Sequence, residues 1–365
     1  MMHNATAMTE SLQSVAPRRL ERNVPLAPLT TLGIGGPARL FVRAETVDEI
    51  RETIAWAASQ HEPLFVLGGG SNLLIADEGF DGLVLQIDLR GITIRSESLE
   101  TVMVYVAAGE RWDDFVSFAV MRGWAGIECL SGIPGLTGAT PIQNVGAYGQ
   151  DVSETIVRVE AIERDTGRVV TFTNWECGFG YRQSIFKSSA KDRYIVAGVT
   201  FRLTPGGAAA IRYPELQTYL DEHEIDVSDL RGVRSAVIAI RKRKGMVLDA
   251  TDPDTRSDGS FFMNPVVTQS TLDEIVLRAG TKNVPHYPSG DQIKLSAAWL
   301  IEHAGFHKGF AHGNVGLSSK HTLAVINRGG GTAREVLELV AMIQGRVREE
   351  FGVEIQPEPN FIGFQ

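Results

Sequence analysis

Cysteine is almost missing from this 365-residue chain. Its two cysteines, Cys129 and Cys177, have no C-x-x-C partner. They read as buried thiols of a reducing compartment rather than as a disulfide or metal framework. No run approaches the roughly 18–20 apolar residues needed to span a bilayer. Positive charge is not in excess, since 35 Lys and Arg face 44 Asp and Glu for a net charge of −9. That balance argues against a general nucleic-acid or anionic-membrane binder, yet permits a local basic pocket for a small anion. Internal repeats and low-complexity tracts are missing as well. Residues 1–20 lack an apolar h-region, so they read as a disordered lead-in and not as a secretory signal. A cytoplasmic location follows by elimination, with no membrane partner.

What is abundant is glycine, 38 residues of it, in a chain long enough for two domains of ordinary size. Hydrophobic residues at 43% and charged residues at 22% are normal for a globular protein. The stretch Ser131–Gly149, SGIPGLTGATPIQNVGAYG, holds five glycines and two prolines. It is either a long surface loop or a backbone cradle for a phosphate-bearing cofactor. A second glycine turn, Gly68–Gly70 followed by Ser71 and Asn72, leaves an apolar strand and carries the same two readings. The G-x-G-x-x-A at Gly33, Gly35 and Ala38 is not a dinucleotide fingerprint, because Pro37 interrupts it and RLFVRA after it is strand-like.

Apolar spacing predicts helices over Thr46–Gln60 and Thr332–Glu350, each opened by a capping box (Thr46/Glu49 and Thr332/Glu335). Further helices are expected over Arg111–Arg122, Arg231–Lys244, Leu272–Ala279 and Leu295–His303, and a hairpin turning at Asp165–Gly167. The texture changes near Pro205, which places a soft seam around 205–245. RKRK at Arg241–Lys244 reads as a solvated, basic helix end and is also the most cationic spot in an acidic chain. His303, His307, His312 and His321 crowd one region, but H-E-x-x-H spacing is lacking, so no metal site is expected.

Six stretches, in this order, resemble the UDP-N-acetylenolpyruvoylglucosamine reductase family. They are TTLGIGGPA at 30–38, LGGGSNLL at 67–74, Ser131–Gly149, FGYRQSIFK at 179–187, DGSFFMNP at 258–265 and IQPEPNFIG at 355–363. The resemblance implies an α+β protein with a PCMH (vanillyl-alcohol-oxidase-type) FAD-binding fold and a C-terminal α/β substrate domain. Residues 21–245 would hold non-covalent FAD, with an insertion at about 205–240 and the tail 352–365 rejoining this part. Residues 246–351 would hold the UDP-sugar.

The implied activity is NADPH-driven reduction of UDP-N-acetylglucosamine enolpyruvate to UDP-N-acetylmuramate for peptidoglycan. Hydride from flavin N5 would go to the enolpyruvyl β-carbon and a proton from Ser260 to the α-carbon. Arg182 matches the carboxylate-binding arginine, suited to a bidentate fork. Glu358 matches the catalytic glutamate, whose hydrogen bonding needs a raised pKa. FAD contacts would come from Gly68, Gly69, Gly70, Ser71 and Asn72. Others would come from Ser131, Gly132, Ile133, Pro134, Gly135, Gly138, Ala139, Gln143, Asn144, Gly146, Ala147, Tyr148 and Gly149. The substrate would meet Tyr181, Arg182, Glu358 and Tyr213, the last on a lid-like insertion, with Lys244 and Asn264 on the diphosphate side and Lys294 and Lys308 as further candidates. NADPH, lacking a Rossmann unit of its own here, would use the same mouth as the UDP-sugar, giving ping-pong kinetics in a monomer. Two other readings stay open: an oxygen-using oxidase of the same fold, and a catalytically silent flavin- or nucleotide-sugar-binding module.

Overall fold

In the computed structural model, residues 16–364 are described. Of the expected lead-in, residues 1–15 lie outside the described residues. Residues 16–20 form a turn in which Leu20 N donates to Pro17 O, and Arg19 pairs with Glu45 at 2.6 Å.

The two capping boxes set helix starts where the sequence places them. Helix α1 (Val47–Gln60) begins after Thr46, whose hydroxyl oxygen accepts from Glu49 N while the Glu49 carboxylate accepts from Thr46 N. The other helices are α2 (Trp112–Met121), α3 (Pro214–Glu222), α4 (Leu230–Arg243), α5 (Gln269–Ala279), α6 (Ala297–His303) and α7 (Ala333–Phe351). Helix α7 repeats the device with Thr332 and Glu335, and stops at Gly352 in the left-handed conformation.

A four-stranded sheet runs in the order Glu21–Pro25, Pro37–Ala44, Phe80–Ile87, Leu64–Leu67. Its last three strands are parallel, and α1 makes the crossover between two of them. A larger antiparallel sheet carries the predicted hairpin, Ile156–Glu163 with Val169–Thr173, beside Tyr194–Pro205 and Val102–Ala107. One core joins both sheets to α1, α2 and α4, with Trp112, Phe115 and Phe201 at its centre. The 205–245 seam is not an edge of this core. Leu216 and Leu220 of α3 and Val233, Val237 and Ile240 of α4 are buried in it.

A second core collects α5, α6 and α7 around Phe261 and Phe262, and includes Leu32, Ile34 and Leu74 from the first half. Here Ser257–Ser260 pairs with Ala324–Asn327. The tail then returns: Glu358 N donates to Phe261 O at 2.8 Å, Asn360 N donates to Asn72 O at 3.0 Å, and Asn360–Ile362 pairs in parallel with Leu73–Ile75. This return brings the 260, 358 and 72 neighbourhoods together from distant parts of the chain.

Candidate active site

The site is built where the two glycine-rich runs touch. Gly69 packs so closely on the other run that a Cβ there would lie 2.7 Å from Gly135 Cα. Gly70 has φ +63° and would set a Cβ 2.0 Å from Leu29 O, so no other residue fits. Gly68 differs, since a Cβ on it would meet nothing within 4 Å. Its open side faces a cavity of about 780 Å³, within the range of ligand sites of roughly 300–1,000 Å³.

Eighteen of the expected site residues line this cavity. They are Gly68, Gly69, Gly70, Ser71, Asn72, Ile133, Pro134, Gly135, Ala139, Gln143, Gly146, Ala147, Tyr148, Arg182, Tyr213, Lys244, Ser260 and Glu358. The other expected residues of the glycine-rich run face protein. Ser131 is fully buried and donates to Glu128 O; Gly132 N donates to Asp113; Gly138 abuts Ala108; Gly149 abuts Arg212. Buried Asn144 donates to Gly180 O at 3.0 Å and accepts from Ser153 N at 3.1 Å, tying the run to the segment that carries Arg182. A loop must alternate between ligand and interior to stay in place, and these residues take the interior side.

Arg182 is held rigidly. Its backbone has φ +52°, and Asn144 and Tyr148 nearby have φ +46° and +51°. Three non-glycine residues in this costly region mark a locally strained site. Arg182 Nη2 donates to Gly146 O at 2.6 Å, and its Nε lies 3.3 Å from Glu358 Oε1. Burial pushes the Glu358 carboxyl above the usual carboxylate range, against the pull of Arg182 and Lys187. Burial likewise lowers the Lys187 ammonium. Ser260 ends the strand that pairs with Ala324, on the same cavity.

Beside this group stand the expected residues outside the cavity lining. Lys294 Nζ lies 4.6 Å from the centre of the Tyr181 ring, and the Tyr181 hydroxyl hydrogen-bonds at Asn264. Asn264 Oδ1 also accepts from Ala297 N at 2.9 Å. The Lys308 charge is felt at His321.

Among the cavity residues that sequence reading did not assign to the site, four titratable ones stand out. Two of them, Lys187 and Asp258, sit inside the quoted stretches FGYRQSIFK and DGSFFMNP, so the signal was adjacent. Asp258 is 7% exposed; its Oδ1 accepts from the Thr31 hydroxyl at 3.2 Å, and its Oδ2 has no hydrogen-bond partner among the described residues. Burial pushes this carboxyl up to about 8. Arg241 corrects the expectation of a solvated RKRK end. It lines the cavity, its Nη2 donates to Met246 O at 2.8 Å, and its Nε is buried without a hydrogen-bond partner among the described residues. His321, also in the wall, is driven down to about 4 by burial and by Lys244 and Lys308, so it is neutral.

The other clustered histidines are engaged elsewhere, with His303 stacked on Trp299 and His312 paired with Glu338. Among the described residues no group of three or more His, Cys, Asp or Glu is placed to hold a metal ion. Cys129 and Cys177 are buried, free thiols, both pushed up to about 12 by burial.

These walls fit a flavin dinucleotide. Gly68 and the backbone beside it leave room for a phosphate-bearing ligand, with apolar Leu64, Phe65, Val66 and Ile195 and basic Arg164 and Lys191 in the same cavity. Comparison with known proteins agrees. A family model described as an FAD binding domain matches residues 38–173. One for the C-terminal domain of UDP-N-acetylenolpyruvoylglucosamine reductase matches residues 252–362. The UDP-N-acetylenolpyruvoylglucosamine reductase of Thermobifida fusca is 48% identical over 349 residues, 94% of this chain and 98% of that protein. That of Saccharopolyspora erythraea is 47% identical over 343 residues, 92% and 93% of the two chains. The crystal structure of the Thermus caldophilus reductase superposes with a TM-score of 0.63 at 28% identity, covering 94% of this chain and 99% of that one. The α+β class and the PCMH-type FAD fold therefore hold. The chain belongs to the UDP-N-acetylenolpyruvoylglucosamine reductase family.

Proposed function

We propose that Arg182, Glu358 and Ser260 together reduce UDP-N-acetylglucosamine enolpyruvate to UDP-N-acetylmuramate, the peptidoglycan precursor step of this family, with NADPH as electron source. FAD, when bound, relays the NADPH electrons and supplies hydride for the enolpyruvyl β-carbon. Addition of hydride leaves negative charge on the substrate's α-carbon and carboxylate. The Arg182 guanidinium, fixed by the Gly146 carbonyl and Glu358, meets that carboxylate as a two-pronged donor. Glu358, which burial favours in its protonated form, hydrogen-bonds the developing charge. Ser260 holds the proton that goes to the α-carbon, so one hydride and one proton complete the reduction. Tyr213 and Lys244 take the UDP end, supported by Tyr181, Asn264, Lys294 and Lys308.

The observation that carries this reading is the convergence of residues 182, 260 and 358 on one cavity. We divide the chain accordingly into a cofactor part, 21–245 with the tail 352–365, and a substrate part, 246–351. NADPH uses the same mouth as the UDP-sugar, in turn, and the enzyme acts as a cytoplasmic monomer. Among the described residues no helix is long and apolar enough to cross a membrane.

Anaerobic titration of the holoenzyme tests the assignment. NADPH should bleach the flavin band near about 450 nm, and the enolpyruvyl substrate should restore it without oxygen. Restoration by oxygen alone points to an oxidase, and a band that NADPH leaves intact points to a silent binding module.

A further inference from the structure

Lys244 faces the cavity from the C-cap of α4, but its ammonium is already taken. Nζ lies 2.5 Å from Glu215 Oε2, and Glu215 stands in the first turn of α3, two residues after Tyr213. The same ammonium lies 5.9 Å from the centre of the Tyr148 ring, and Tyr148 meets Tyr213 edge to face at 5.4 Å. One cation thus joins the expected lid segment to the cavity wall through a carboxylate that is not part of the reaction. The two side chains keep 31% and 40% of their exposure, so the pair is solvated and weak. A lysine ammonium is a compact point charge and cannot serve a carboxylate and a diphosphate at full strength together. A diphosphate arriving at Lys244 would also stand beside the Glu215 charge, and like charges at such range repel.

We propose that Glu215 is a resident counter-ion that the substrate displaces: its carboxylate holds Lys244 in the free enzyme and yields it to the diphosphate of the UDP-sugar. This rests on the reading of Lys244 as a diphosphate contact. The exchange makes Glu215 a residue of specificity. A ligand with a diphosphate can take over the ammonium, whereas the same nucleoside without phosphate leaves the pair intact and gains nothing from it.

The test is a double-mutant cycle on the FAD-loaded enzyme, with uridine diphosphate and uridine as probes and binding read by calorimetry. Lys244→Met should weaken uridine diphosphate binding. Glu215→Gln should tighten it about 2–5-fold, as expected for removing one competing charge at a partly exposed site, and leave uridine unchanged. In the Lys244→Met background the Glu215→Gln gain should vanish. Unchanged or weaker uridine diphosphate binding by Glu215→Gln, with Lys244→Met still harmful, overturns the exchange and spares the diphosphate role of Lys244. A gain that persists in the double variant also overturns it, because Glu215 then acts without Lys244. If Lys244→Met has no effect, the diphosphate role fails and the exchange fails with it.

Discussion

At the scale of single residues, burial pushes two carboxyls of the site above the usual carboxylate range. Glu358 has Arg182 and Lys187 nearby to moderate its burial, whereas no charged group offsets the burial of Asp258. Asp258 helps join the strand of Ser260 to the 27–33 loop through the Thr31 hydroxyl. Its native pKa of about 8 against an ordinary 3.8 fixes the sign of a pH effect. Below the ordinary value both states are protonated and its contribution to stability is fully present. As pH rises towards 8 the unfolded chain ionises while the native state does not, and stability is lost at up to about 1.4 kcal/mol per pH unit. Asp258→Asn removes that proton from the cycle. Its melting temperature should exceed that of the parent progressively between about pH 5 and 8; parallel melting curves across that range would show Asp258 ionised in the fold. Little of this was legible in the sequence. Asp258, Lys187 and His321 belong to no periodic pattern, and although Arg241 lies on the predicted helix, its place in the cavity wall depends on segments far away along the chain.

At the scale of elements, local rules read well. Both capping boxes open the helices they predicted, and the hairpin pairs as expected, because each depends on residues a few positions apart. The glycine-rich runs read less completely. Composition identified them as loops that could approach a ligand, but not which residues face it. Ile133 to Gly135 line the cavity while Ser131 and Gly138 pack inward. That division is set by contact between the runs, which is tightest at Gly69. Gly69→Ala should force Gly135 away and weaken FAD binding at least about tenfold, since a backbone clash cannot be relieved by rotating a side chain. Fluorescence recovery of released FAD measures it, and parent-like retention would contradict the contact.

At the scale of the whole molecule, two cores share one site because the chain crosses between them. Leu32, Ile34 and Leu74 enter the second core, and the tail returns from it to pair with Leu73–Ile75. The resemblance of six separated stretches carried the family and the FAD-binding fold, whereas the change of texture in the 205–245 segment carried no information on packing. Its helices α3 and α4 are amphipathic and bury their apolar faces in the first core, and a gly- and acid-rich surface says nothing of that. This crossing architecture brings Arg182, Ser260 and Glu358 to one cavity, where we propose that they act on one substrate. The most direct measurement of that claim is the anaerobic single-turnover rate at which UDP-N-acetylglucosamine enolpyruvate reoxidises NADPH-reduced holoenzyme carrying Ser260→Ala. The account predicts normal reduction by NADPH and a reoxidation slowed about 10²–10⁴-fold, the usual contribution of a positioned proton donor. Reoxidation at the parent rate would contradict it.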